Sequence, residues 1–458
     1  LKLLEEILIK FGNTAWGTPL LVLLLGGGLF FTIYIRFVPF RYLGHALKIL
    51  RGEFDNPHEI GQISHFQALS TALAATVGMG NISGVAVAIT MGGPGAVFWM
   101  WISAILGIST KFFTCTLAVM YRGKDTLGEV QGGPMYVIME GLGKNWKPLA
   151  VLFCVAGLFG VLPAFQANQL TQTVRDVLLI PNGIQESFYT NLLTGVAISI
   201  IVSLVIFGGI KRIGSVAARL VPTMVLLYSL SVIYILLINI GEVSGSIELI
   251  LVDAFTGKAV MGGAVGSVIV AGARRAAFSN EAGIGTAPLA HGAARTNEPV
   301  REGLIAMLGP AIDTLLVCTM TALAIIVTGT WKLNIDSGIT TTLEAFNQEI
   351  PFAGQYILVF CVLIFSFTTM FSMSYYGTKC FSFLFGAERS YLYNYFYVAM
   401  ILMGAVVSLN AVIGLIDGMY ATMAVPTMIS AILLAPKVRK ASKKYFGAMR
   451  NQEQVAKR

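Results

Sequence analysis

Two stretches of this chain set glycines and polar side chains inside otherwise apolar sequence. The first is Ala74-Ala75-Thr76-Val77-Gly78-Met79-Gly80-Asn81-Ile82-Ser83-Gly84. The second runs from Ala271 through Arg274, Arg275, Phe278, Ser279, Asn280, Glu281 and Gly283 to Gly285. A helix that unwinds at such a stretch leaves free N–H groups on one side of the break and free C=O groups on the other. The N–H end is partially positive and suits a carboxylate, and glycine lets the backbone come close to it. The C=O end suits an ammonium group or a dehydrated sodium ion. A break at Gly78-Met79-Gly80, with the carbonyls of Ala74 to Val77 below it, therefore matches both ends of a zwitterion, which a sugar lacks. Close helix packing through small residues is the competing use of such glycines. A third stretch, Pro163-Ala164-Phe165-Gln166-Ala167-Asn168-Gln169, is too polar for a lipid-facing helix and is expected to meet a cavity. Gln166 and Asn168 each donate and accept hydrogen bonds. At least one should face a ligand, with hydrogen bonding between helices as the alternative.

The elements that must position these residues are membrane spans. Of 458 residues, 56% are hydrophobic and 12% charged, with a mean hydropathy of +0.76. A soluble domain is about 45–50% apolar and about 25% charged. The apolar residues fall in blocks of about 20, the length an α-helix needs to cross the hydrocarbon. Eleven such segments can be drawn: A 16–38, B 64–90, C 95–120, D 149–175, E 190–209, F 216–240, G 260–290, H 303–329, I 354–385, J 391–409 and K 411–434. The first block is long and has no small-residue cleavage pattern after it, so it reads as a span and not as a leader. The five cysteines form no CxxC pair and the four histidines no zinc spacing. Neither a disulfide nor a metal cluster is expected.

The charge distribution sets the topology. With eleven crossings, 23 of the 31 Lys and Arg residues fall on one side. Only Lys2, Lys10, Arg175, Lys258 and Lys332 fall on the other, and Lys111, Arg274 and Arg275 fall inside spans. The rich side is expected to be cytoplasmic, with the N-terminus outside, in a cell (plasma or inner) membrane. The net charge of +8 then reflects topology and lipid contact, with no nucleic acid as partner.

Segment B opens one run of five spans and G opens the next. Five is odd, so the two runs have opposite orientation. The expected fold is all-α and polytopic, about 11 helices, with a 5+5 inverted repeat, two discontinuous helices and one extra N-terminal helix. The expected divisions are 1–63 for the extra helix and loop, 64–240 and 241–434 for the repeats, and 435–458 for a basic tail.

Three motifs carry a family resemblance. Gly80-Asn81-Ile82-Ser83-Gly84-Val85, followed by Gly92-Gly93-Pro94-Gly95-Ala96-Val97-Phe98-Trp99-Met100-Trp101, resembles the signature of the alanine/glycine:cation symporters. Phe278 through Pro288 is similar to that family's second hallmark, and Phe367-Thr368-Thr369 with Tyr375-Tyr376-Gly377 to a third. The resemblance covers essentially the whole chain. It implies a leucine-transporter-like fold and uptake of alanine or glycine coupled to sodium, with the proton as alternative coupling ion. Members often carry a tryptophan where Met373 stands and a glutamate where Thr378 stands, so the departures fall in segment I.

The resemblance also distributes roles. Gly78, Met79 and Gly80 fall to the substrate carboxylate, and Ala75 and Thr76 to the amino group and side chain. Asn81 either coordinates a cation or pins the break. A sodium site is implied between B and I, from the carbonyls of Ala74, Val77 and Phe365 and the hydroxyls of Thr368 and Thr369. Threonines in membrane helices also bond back to their own backbone. Phe278, Ser279, Gly283 and Ile284 are implied in the opposite wall, Phe278 and Ile284 closing over a methyl-sized group. Phe165, Gln166 and Asn168 complete the set. Glu281 is expected to pair with Arg274, seven residues away on one helical face, or else to move a proton. Arg274 and Arg275 have an external gate as their other use. Asp313 serves coupling or packing.

Other classes fit less well. A channel needs a continuous pore, and a membrane enzyme a nucleophile–base pair or metal ligands, neither of which the sequence offers. The Gly-x-Gly of segment B lacks the strand and GK[ST] of a nucleotide loop. A transporter of the same fold for nucleobases or sugars is the main rival.

Overall fold

The computed structural model describes residues 2–255, 265–333, 338–407 and 409–456. The start of segment G, Lys258 and the last two residues lie outside them. The described chain is helical apart from one short hairpin, β1 (Gly123–Lys124) against β2 (Val130–Gln131). Its helices are α1 (Lys2–Ala15), α2 (Thr18–Tyr34), α3 (His65–Thr76), α4 (Met79–Gly92), α5 (Ala96–Met120), α6 (Lys147–Gly160), α7 (Ala164–Val174), α8 (Phe188–Ile206) and α9 (Gly209–Ile238). They continue with α10 (Ile240–Asp253), α11 (Val265–Asn280), α12 (Ala287–His291), α13 (Pro299–Ala306), α14 (Thr319–Val327), α15 (Gly338–Glu349), α16 (Gly354–Phe385), α17 (Tyr391–Val406) and α18 (Leu409–Ala456). A further helix, Leu43–Leu50, and shorter turns of helix lie between them.

Eight described helices are long and apolar enough to cross a membrane, or nine when the bent pair α3–α4 counts as one span. These match segments A–F, H, I and K. Segment G ends as a regular helix at Asn280, and J is described over 16 residues. The architecture is the expected all-α polytopic bundle with broken helices.

Local chemistry explains the breaks. Ser64 caps α3 in a reciprocal pair with Gln67, at 3.2 and 3.0 Å. After Thr76 the chain bends by 43° into α4. In the second break Glu281, Gly283 and Gly285 take φ of 55°, 91° and 106°. The glycines adopt that region freely, and a glutamate there is strained. Segment D was read as unbroken, but it too is interrupted, at Val161–Pro163 between α6 and α7. Pro163 supplies the reason, since it has no N–H and its ring clashes with the preceding turn. The connections between the eleven segments also carry regular structure. The one from Arg122 to Lys147 contains the hairpin, the one from Trp331 to Gly354 contains α15, and α10 fills the region after segment F.

The broken helices lie inside the bundle. α3 packs on α9 and α16, α4 on α11 and α15, and α5 on α11 and α13. α18 covers α1 and α6, and runs without a break past residue 434 to Ala456. At the end of the bundle that carries most basic residues, the segments before α3 and after α12 are laced together. Gln62 N–H donates to the Ala293 carbonyl at 2.8 Å and Thr296 N–H to that of Ile60 at 3.0 Å. Arg122 adds bonds to the carbonyls of Gly292 at 2.9 Å, Thr296 at 2.8 Å and Ile60 at 3.1 Å, and to Ala294. This end is closed.

Candidate functional site

Where α3 stops, the Gly78 N–H does not bond the Ala74 carbonyl as a helix would require. It donates instead to Asn81 Oδ1 at 2.8 Å. The Ala74 carbonyl is thereby released from its helical partner, as a broken span demands. Asn81 itself is wholly buried, and its amide donates to Asp313 Oδ1 at 2.7 Å and to the Asp313 carbonyl at 3.2 Å. The second Asp313 oxygen accepts from Ser279 and Thr314, each at 2.7 Å. One carboxylate on the span α13–α14 thus ties the break in B to the end of α11.

Beside this break lies a cavity of about 40 Å³. Six of the expected residues from the two broken helices line it: Ala75, Thr76, Gly78, Met79, Gly80 and Phe278. Phe165 and Gln166 of α7 line it as well, with Thr369 of α16. Gln166 Oε1 is buried without a hydrogen-bond partner. The remaining expected positions lie off the cavity. Asn81 and Ser279 are bonded to Asp313, as above. Asn168 donates to the carbonyls of Gly404 at 3.0 Å and Val407 at 3.1 Å, so it joins α7 to the end of α17. Gly283 packs against Leu24 and Met428, and the wholly buried Ile284 offers its carbonyl to Thr427 at 3.0 Å.

Of the cation ligands implied between B and I, Thr369 stands against the break in B. A Cβ on Gly78 would stand 2.7 Å from Thr369 Oγ1, so the break and α16 touch here. Both threonine hydroxyls donate to the Phe365 carbonyl, at 3.1 Å from Thr368 and 2.9 Å from Thr369. Thr368 also reaches the Ile364 carbonyl at 2.8 Å. A hydroxyl that donates in this way keeps lone pairs free to accept or to ligate.

The expected pair of Glu281 with Arg274 is not formed. The regular helix ends at Asn280, so the seven-residue spacing no longer keeps the two on one face. Glu281 instead accepts from the Tyr420 hydroxyl at 2.6 Å and from that of Thr286, and it lines the cavity. Arg274 bonds Asp417 at 2.9 Å, and Arg275 lies 5.7 Å over the Phe278 ring. Both arginines line a vestibule of about 740 Å³ on the side away from the closed end. Met79, Gly80, Phe165, Phe278 and Ile416 line vestibule and cavity alike and so form the partition between them.

Sequence reasoning had not marked Gly160, Val161, Leu162, Met373, Ile416 or Tyr420 as lining. Pro163 was the available signal for the first three. It had also given no role to Lys111, which is 1% exposed and lies in the field of Glu281 and Asp313. A charge inside a span was the signal there.

The sodium:alanine symporter family profile matches residues 1–458. The chain belongs to that family. An uncharacterized transporter of Haemophilus influenzae is 41% identical to it, covering 99% of this chain and all of its own. The sodium/alanine symporter AgcS of Methanococcus maripaludis is 38% identical over 96% of this chain and 97% of its own. The probable sodium/glutamine symporter GlnT of Bacillus subtilis is 34% identical over 97% and 91%. Among solved structures, that of MhsT with L-phenylalanine superposes with a TM-score of 0.57 at 13% identity, over 83% of this chain and 98% of its own. That likeness concerns the fold, which is leucine-transporter-like. This family member is a multi-pass membrane protein, and the family's chemistry is cation-coupled amino-acid symport.

Proposed function

We propose that this symporter carries a small neutral amino acid, alanine or glycine, together with sodium by alternating access across the cell membrane. The basic end is the cytoplasmic one and the vestibule faces outside. The repeats span 64–240 and 241–434. The substrate carboxylate meets the N–H groups at Gly78, Met79 and Gly80, where α4 begins. Its ammonium meets the Gln166 side-chain carbonyl and the free carbonyls that end α3, near Ala75 and Thr76. Sodium lies between the carbonyls of Ala74 and Val77 at the end of α3 and the Phe365, Thr368 and Thr369 oxygens of α16. Sodium tightens the break and so completes the amino-acid site, which is positive coupling between two ligands.

The observation that carries this reading is the company of Gln166. An unpartnered acceptor is buried in the same cavity that a helix N-terminus opens onto. Buried polar atoms are normally bonded, so an acceptor left free beside a cavity is suited to a ligand's ammonium. The cavity volume of about 40 Å³ holds roughly three ordered waters, which is the size class of alanine and not of a long side chain. A proton-coupled variant of the reading draws on Glu281, an ionisable group in the lining.

The deciding experiment is labelled alanine uptake into proteoliposomes, with an inward sodium gradient, a proton gradient or neither. Glycine, leucine and glutamine serve as competitors. Accumulation on sodium alone, displaced by glycine and not by leucine, supports the proposal. Proton-driven uptake moves the coupling to Glu281. No uptake under either gradient, by protein shown to be folded, sinks the alanine assignment and favours a nucleobase or sugar.

A further inference from the structure

A second buried polar cluster lies at the closed, basic end. His65 opens α3, His291 closes α12 and Glu302 sits in the first turn of α13, each at most 1% exposed. One Glu302 oxygen accepts from His291 Nδ1 at 2.5 Å and the other from His65 Nδ1. Both Nε2 atoms are buried without a hydrogen-bond partner. The carboxylate fixes Nδ1 as the proton-bearing nitrogen of each ring. Nε2 is therefore the ring nitrogen that each imidazole leaves uncommitted.

The surroundings supply no other partner for Glu302 that is as direct. Arg301, on the same helix, lies 5.1 Å over the Phe54 ring and faces Glu59 at 3.8 Å. Arg122, at the end of α5, spends its guanidinium on backbone carbonyls. Asp55, from the segment before α3, and the buried Cys115 thiol of α5 complete the facing groups. Farther out, His45 bonds the Tyr445 hydroxyl at 2.7 Å. A carboxylate buried here costs much unless positive charge stands against it; Arg122 lends its field from farther off, and among the described residues the imidazoles are the groups bonded directly to the carboxylate. Once the end opens, water takes over that role. A charged imidazole beside the carboxylate is matched only while the end is closed, so a proton on the pair is linked to closure.

We propose that His65, Glu302 and His291 form a proton-operated latch on the inner ends of both broken helices. A proton on the imidazole pair holds the basic end closed, and its release to the solution on that side frees the end to open. The latch is distinct from the substrate cavity. Its bearing on uptake rests on the transport reading, while its effect on opening does not.

The test places spin labels on two residues of the laced basic end that line one surface cavity there, Lys124→Cys and Asn297→Cys, in the full chain in liposomes. The native cysteines are all buried. Distances are recorded as the pH on that side is varied between about 5 and 8, the range in which histidine changes charge. The open-to-closed ratio should rise at least about fivefold towards the alkaline end. Asp55→Asn should leave that response in place, and His65→Gln with His291→Gln should flatten it. A ratio indifferent to pH with both histidines present overturns the latch, and does so even if the double variant fails to fold. A response that survives the double substitution, or that disappears in Asp55→Asn, overturns it as well. If the ratio follows pH while no gradient drives uptake, the transport reading fails and the latch stands.

Discussion

Asp313 and Glu302 lie eleven residues apart on one span, and each is bonded by both broken helices. Asp313 holds the B break through Asn81 and the end of α11 through Ser279. Glu302 holds the start of α3 through His65 and the end of α12 through His291. One span therefore staples the discontinuous helices at two levels. The donors differ, however. An amide and hydroxyls grip Asp313, and they do not titrate near neutral pH. Imidazoles grip Glu302, and they do. The upper staple is suited to fixing a site, and the lower one to being released.

Removing the upper staple should do the most damage. Asp313→Ala leaves the buried donors of Asn81, Ser279 and Thr314 without their acceptor, at roughly 1–3 kcal/mol each. We expect uptake to vanish and unfolding in detergent to become easier by at least about 3 kcal/mol. Alanine uptake with an unchanged KM would mean that the break needs no such anchor. Next in size is the contact that involves no carboxylate. Thr368→Ala with Thr369→Ala removes two hydroxyls that, among the described residues, bond only their own helix apart from a weak contact of Thr368 with Met224. Sodium half-saturation should rise about tenfold, equivalent to about 1.4 kcal/mol, with little change in melting. An unaltered sodium response places the cation elsewhere. Of similar size is Glu302→Gln, which keeps the shape of the lower staple and removes its charge. Stability should fall by about 1–2 kcal/mol, and the dependence of uptake on pH at the basic end should be lost. A steeper pH dependence would assign the charge that matters to a different group.

The same contrast explains what the sequence could and could not tell. Hydropathy marks where chain crosses the membrane, and Gly78, Gly80, Gly283 and Gly285 mark where it cannot stay helical. The fold class and most of the cavity's B-helix lining were therefore legible. Which side of a helix a polar residue faces was not, once the helix had broken. Asn168 and Ser279 look like ligands in the text and turn out to bond protein. Glu281 and Arg274 look paired at helical spacing, but the strained turn at Glu281 ends that register. His65, His291 and Glu302 are 237 residues apart at the extremes, and nothing local joins them. The lining from Met373, Ile416 and Tyr420 likewise depends on packing between distant spans.

The smallest change separates the two roles of the upper staple. Ser279→Ala deletes one hydroxyl whose oxygen lies 2.7 Å from Asp313 Oδ2 and 3.3 Å from the Cys318 sulfur. That Asp313 oxygen keeps Thr314 at 2.7 Å, and its partner oxygen keeps Asn81. No buried acceptor is orphaned, so the cost should be about 1 kcal/mol, the net worth of one hydrogen bond. If Asp313 only holds the B break in shape, the KM for alanine and the sodium response both stay put. If it also sets how α11 moves against α4, the maximal rate changes while KM does not. Asp313 would then couple the two breaks rather than merely brace one of them.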